Sequence, residues 1–179
     1  MIVSVTQFNT YSGNYEDATD VVAMKTNMLM SAQKVVEDYL GYNPESETRT
    51  DYVQGIGNNN LYLFAQPITA VSSISINGTA VASTDYDVLG NHLRLKQGVW
   101  PNNTEIAVTY TAGWSALNVP DIVKLTILNI ASLMLQESDG NIGITGKSMS
   151  EDSRTYINYT NYDKWLKKLD ALRIVRLYG

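Results

Sequence analysis

The sequence predicts an α+β protein, a small helical bundle of three main helices with an antiparallel β module inserted between the first and the second. Three observations carry this. Apolar residues recur at helical spacing up to Leu40, the period changes to two from 47 to 112, and helical patterning returns over 120–138 and 160–176. A chain of 179 residues suits one core with an elaborate insertion better than two full domains, so 1–179 is read as a single domain.

The first helix, about 15–41, is carried by Met28, Leu29, Ala32, Val35, Val36, Tyr39 and Leu40 on one stripe. A shorter helical piece around 17–25 leads into it. Gly41 and Pro44 stop it, glycine because it tolerates positive φ and proline because it breaks helices. Strand candidates follow at 48–54, 61–64, 71–76, 86–89, 92–95 and 105–112; in the last, Ile106, Val108, Tyr110 and Ala112 share a face. Turn signals separate them: the loop 55–60, the two-residue hairpin signal Asn77-Gly78, and the connection 100–103.

The second helix, 120–138, opens with Pro120 in the first turn and Asp121 at the positive end of the helix dipole. It is apolar almost all round: Val123, Ile127, Leu128, Ile130, Ala131, Met134 and Leu135 leave one narrow polar strip at Asn129, Ser132 and Gln136. One neighbouring layer cannot bury such a perimeter. Val123, Ile127, Ile130 and Met134 are therefore expected at a boundary with another subunit or a partner as well as in the core. Residues 139–153 have loop composition, with Ile142, Ile144 and Met149 to bury once a neighbour arrives. The last helix, 160–176, starts at a Thr160–Asp163 capping spacing and stripes Tyr162, Trp165, Leu166, Leu169 and Leu172, with Lys164, Lys167 and Lys168 off the stripe.

Net charge is -5, which argues against a protein whose task is to grip phosphates, and the charge is uneven. Residues 154–179 hold six Lys or Arg against Asp163 and Asp170, so a basic tail of +4 follows a body of -9. Those three lysines are expected to meet an acidic partner. With no cysteine, disulfides and thiolate metal sites are excluded. The N-terminus lacks a basic and an apolar signal region, and no run approaches the ~20 residues that cross a bilayer. Export and membrane insertion are not expected, and the Asn-X-Thr triplets at 77, 102 and 158 carry little weight as glycosylation signals.

Candidates for chemistry are sparse. The stretch 143–148 ends in Gly-Lys-Ser, but Asn141 stands where a phosphate loop needs glycine, and a helix precedes it where a strand should. His92 is the single histidine, so multi-histidine metal sites are excluded, and a triad would have to be built on a strand residue. Asp85 and Asp87 could serve paired-carboxylate work if a pocket held them, and read more simply as solvated strand-end groups. Trp114 reads as the packed corner between strand and helix, and tyrosines 156, 159 and 162 as helix-entry packing instead of base-stacking platforms. No catalytic residue, cofactor or metal is expected.

The order of elements resembles a known family. A helix ending Val-Glu-Asp-Tyr-Leu-Gly41, a hairpin closing on Leu61-Tyr-Leu-Phe64 and Gln66-Pro67-Ile68, the strand Val71 to Gly78, Val108-Thr-Tyr-Thr-Ala-Gly113, and Val119-Pro120 before an apolar helix is similar to the head-tail connector, adaptor or head completion proteins of tailed bacteriophages. The resemblance covers about 20–178. It implies a non-enzymatic virion component, assembled in the host cytoplasm, that forms a ring of commonly about twelve subunits beneath the portal protein. Such a ring extends the DNA channel, lets DNA pass without specific binding, and offers a surface to a tail-completion or tail-terminator protein. The rival readings are a β-rich tail or baseplate binding module and, more remotely, a small enzyme with a carboxylate site at Asp85 and Asp87.

Overall fold

The computed structural model describes residues 1–138, 147–149, 152–154 and 161–174. In chain order these form α1 (Val5–Ser12), α2 (Thr19–Leu40), β1 (Glu47–Gln54), β2 (Asn60–Tyr62), β3 (Ile68–Ile76), β4 (Thr79–Ala80), β5 (Tyr86–Val88), β6 (His92–Leu95), β7 (Glu105–Ala112), α3 (Asp121–Ser138), β8 (Lys147–Met149), β9 (Asp152–Arg154), α4 (Asn161–Leu166) and a 3-10 helix (Lys167–Leu172). The protein is thus mixed helix and antiparallel sheet, in two compact units: Met1–Leu40 with Pro120–Arg173, and Gly41–Val119 with Ile174–Gly179.

The helical unit is built around α3, which is contacted by α1, α2, α4 and the 3-10 helix. That answers its apolar perimeter. Several short walls from the same chain cover what one layer could not: Val123, Ile127, Ile130 and Ala131 of α3 are buried, and so are Leu29, Ala32 and Val36 of the contacting α2. The expected first helix begins at Thr19, not 15, and the separate α1 ahead of it was not expected from apolar periodicity, because it buries Phe8 alone. It is fixed instead by a capping box, in which the Ser4 hydroxyl accepts from Gln7 N and the Gln7 side chain accepts from Ser4 N.

The last helix is also shorter than expected. After Leu166 it tightens to 3-10, and the reason is in the stripe: Leu166 and Leu169 are buried and Leu172 half-buried at a strict spacing of three, the period of a 3-10 helix. Tyr39 of α2 donates a short hydrogen bond to Asp170, and Arg173 stacks over the same ring at 4.9 Å, which ties this terminus to α2. Within the predicted loop 139–153, β8 and β9 pair as a small antiparallel hairpin, Lys147 opposite Arg154; the rest of that loop and the predicted cap Thr160 lie outside the described residues.

The second unit holds two sheets. One is four-stranded in the order β1-β7-β3-β4, the other three-stranded in the order β2-β6-β5. The expected hairpin onto residues 61–64 does not form: β1 pairs with β7, Glu47 opposite Ala112, while β2 pairs with β6. The two-residue turn at Asn77-Gly78 does form, both residues at positive φ (49° and 80°), and it adds β4 to the sheet. Ile106, Val108, Tyr110 and Ala112 of β7 are all buried, as their alternation predicts. On the outward face, Thr48 pairs with Thr111 at 3.0 Å and Thr50 with Thr109 at 2.9 Å. At the end of β7, Gly113 (φ 97°) passes so close to Glu45 that a Cβ would lie 2.6 Å from its carbonyl oxygen.

Candidate functional site

The chemistry candidates are taken up by structural roles. Asp87 is half-exposed and flanked by two cations, Arg94 Nη2 at 3.6 Å and Lys96 Nζ at 3.7 Å, while Asp85 accepts from the Thr84 hydroxyl at 3.0 Å. His92 Nδ1 lies 2.7 Å from Asn91 Oδ1, and its ring meets Tyr62 across the strand pair at 5.1 Å. Of the Gly-Lys-Ser stretch, Lys147 and Ser148 lie on β8, whereas a phosphate loop would have them open a helix; its remaining residues, with tyrosines 156 and 159, lie outside the described ones. Among the described residues no three acidic or histidine side chains could share a metal ion. Trp114 packs against Tyr42 with ring centroids 6.4 Å apart, which is the corner expected of it.

Two buried polar clusters were not legible in the sequence. Asp51 points into the sheet unit, accepting from Arg49 Nε at 2.8 Å, Phe64 N at 2.9 Å and the Tyr110 hydroxyl at 2.5 Å. Burial first, and then this bond to a carboxylate, push the Tyr110 phenol far above the usual tyrosine range. In the helical unit Lys25 is 0% exposed. Its Nζ is caged by Asn9 Oδ1 (2.8 Å), Asn14 O (3.0 Å), Asn14 Oδ1 (3.2 Å) and Glu16 O (2.8 Å). These oxygens are uncharged, and they belong to α1 and the connection behind it, so one ammonium clasps the first turn of chain onto α2. Both clusters order backbone: Asp51 holds Phe64 N, and Lys25 holds the carbonyls of Asn14 and Glu16.

What the molecule offers a partner is surface. Of the residues expected at a boundary, Val123, Ile127 and Ile130 are buried inside the chain and Met134 is half-buried, with Leu125 exposed one face away on the same helix. Lys164, Lys167 and Lys168 are all exposed, Lys168 lying over the Trp165 ring at 3.9 Å. Among the described residues no helix is long and apolar enough to cross a membrane.

Solved structures share this fold. The chain is similar to a component of the virion of a native gene transfer agent particle (TM-score 0.63, 15% identity, covering 99% of this chain and 92% of that one). It is similar also to chains in the neck of the empty particle computed with C6 symmetry (TM-score 0.62, 14% identity, 99% and 92% covered) and of the native particle computed with C12 symmetry (TM-score 0.59, 15% identity, 98% and 90% covered). No curated protein matches the sequence. The profile of one family, described as head completion protein, matches residues 1–161. A family match over residues 1–161, most of the length, places the chain: it belongs to the head completion protein family, structural proteins of the head-tail junction of the virion.

Proposed function

We propose that this connector acts as a ring of about twelve copies beneath the portal, extending the DNA channel and presenting its far side to a tail-completion or tail-terminator protein. The observation that carries the reading is the family match over 1–161, joined to a fold shared with a neck computed with C12 symmetry. Residues 1–179 work as one connector domain around a three-helix bundle of α2, α3 and the terminal helix, with no catalytic task. Val123, Ile127 and Ile130 set the position of α3 from beneath. Met134, with the exposed Lys164, Lys167 and Lys168, meets a neighbouring subunit or the portal.

Charge supports free passage of DNA. Residues 41–119 contain only three cations, Arg49 engaged by Asp51, and Arg94 and Lys96 sharing Asp87. This stretch therefore offers phosphates few cations, all already in contact with a carboxylate. Electron microscopy of the protein mixed with purified portal tests the reading. A ring of density added to the portal, one copy per portal subunit, is expected; a portal that remains bare at saturating protein overturns it.

A further inference from the structure

β1 is an open edge. It is the outermost strand of the four-stranded sheet, eight residues long, with an unbroken register against β7 and neither proline nor bulge to blunt it. The ladder fixes which of its groups face outwards. The register continues to Gly55, whose N donates to Thr104 O at 2.9 Å, so the residues bonded to β7, two apart, are Val53, Asp51, Arg49 and Glu47. The backbone N–H and C=O of Thr48, Thr50, Tyr52 and Gln54 therefore point away from the sheet, and among the described residues nothing bonds to them. All four residues are exposed. An inward-pointing charge can guard such an edge, but Asp51 is already satisfied by Arg49, Phe64 N and Tyr110, so a strand laid alongside leaves no carboxylate unpaired.

The chain also carries an unfinished sheet. β8 and β9 form a sheet of two, Lys147 opposite Arg154, and no third described strand pairs with either. Two strands alone are marginal in water, and a third is what makes a sheet stable. Residues 139–146 join this hairpin to α3 and residues 155–160 join it to α4, lengths that reach about 20 Å or more at full extension.

We propose that the β8–β9 hairpin of one copy adds to the open edge of β1 on the next copy, as the head-to-tail contact of the ring. This rests on the ring reading above. The hairpin lacks a third strand and β1 lacks a neighbour on its open side, and one set of main-chain hydrogen bonds supplies both. β1 is also the one long edge among the described strands, since β4 has two residues and β2 and β5 have three each. Within one chain the hairpin and β1 do not pair, so the partner is a second copy. Hairpin to edge is a contact between two different surfaces, which a cyclic ring repeats from copy to copy.

The chain has no cysteine, which makes the test clean. Thr50→Cys and Ser148→Cys chains, each singly substituted and distinguishable by mass, are mixed under ring-forming conditions, free or on portal, and treated with a short bismaleimide. Mixed dimers should exceed those from a Ser72→Cys and Ser148→Cys pair by about tenfold, because a paired strand raises the local thiol concentration. Tyr52→Pro removes one outward N–H and leaves the bonds to β7 in place, so it should abolish rings while its thermal melt stays close to that of the parent. Rings with mixed-dimer yield at the control level, rings unaffected by Tyr52→Pro, or Thr50→Cys joining portal in place of Ser148→Cys, overturn the contact alone. Failure of the unsubstituted protein to form rings, free or on portal, overturns the ring reading and the contact with it.

Discussion

Replacing Lys25 by methionine keeps the aliphatic stem and deletes the ammonium that four oxygens surround. Three ammonium hydrogens serve those oxygens at 2.8 to 3.2 Å, and hydrogen bonds to a charged group contribute roughly 1.5 to 3 kcal/mol each. The sum is not the net effect, because the variant is also spared several kcal/mol of ammonium desolvation, and part of the cage regains water once α1 loosens. A net loss of about 2 to 4 kcal/mol remains, equivalent to about 5 to 15 °C in Tm for a chain of this size. Arginine should not rescue it, since a forked guanidinium cannot fit a cage sized for one nitrogen. Hydrogen exchange resolves where the loss falls: amides of Val5–Ser12 should lose protection first, before those of α3. A Lys25→Met protein with parental melting and undiminished protection over α1 would refute the clasp.

Tyr42 gives a pH dependence. Its phenol is pushed up to about 12 by burial, against a hydrogen bond with Gln66 that works the other way. A folded-state pKa above the unfolded value means that stability is complete below about pH 10 and declines as pH rises towards 12, by about 2 to 3 kcal/mol; Tyr42→Phe should flatten that decline in alkaline denaturation curves. Gly113→Ala should cost at least about 3 kcal/mol in urea unfolding, since the φ of 97° and the Glu45 carbonyl at 2.6 Å both oppose a Cβ. Reversing Lys164, Lys167 and Lys168 to glutamate should slow association with an acidic partner surface, most at low ionic strength because exposed charges are screened beyond ~8 Å in physiological salt; stopped-flow rates unchanged across a salt series would contradict it.

Legibility followed the range of the interactions. β6 and β7 lie at the expected residues because alternation is a local signal, and Asn77-Gly78 turned as expected because its chemistry is contained in two residues. Pairing is a different matter. Glu47 meets Ala112 across most of the module, and no local pattern says that β2 belongs with β6 in a second sheet. α1 escaped because one buried residue makes no stripe, although Ser4 and Gln7 carried a readable cap. The lysines of the last helix were legible as exposed because they stood off its stripe. Lys25 was not legible as buried, since its partners are backbone carbonyls and amides whose convergence is a property of the folded connection.

The distribution of charge then has a physical logic that composition alone conceals. On the proposed reading, an acidic chain repeated around a ring faces two electrostatic demands: it must attract a partner and release DNA. Three exposed lysines close together near the end of the chain answer the first, because a localised patch steers encounter better than the same charges dispersed. For the second, the buried Asp51 holds the half-buried Arg49 at 2.8 Å, while Arg94 and Lys96 share the Asp87 carboxylate at 3.6 and 3.7 Å. The buried Asp51 cluster is then more than a folding device. By keeping Arg49 engaged, it removes from the sheet unit a guanidinium that would otherwise be well suited to a bidentate grip on phosphate.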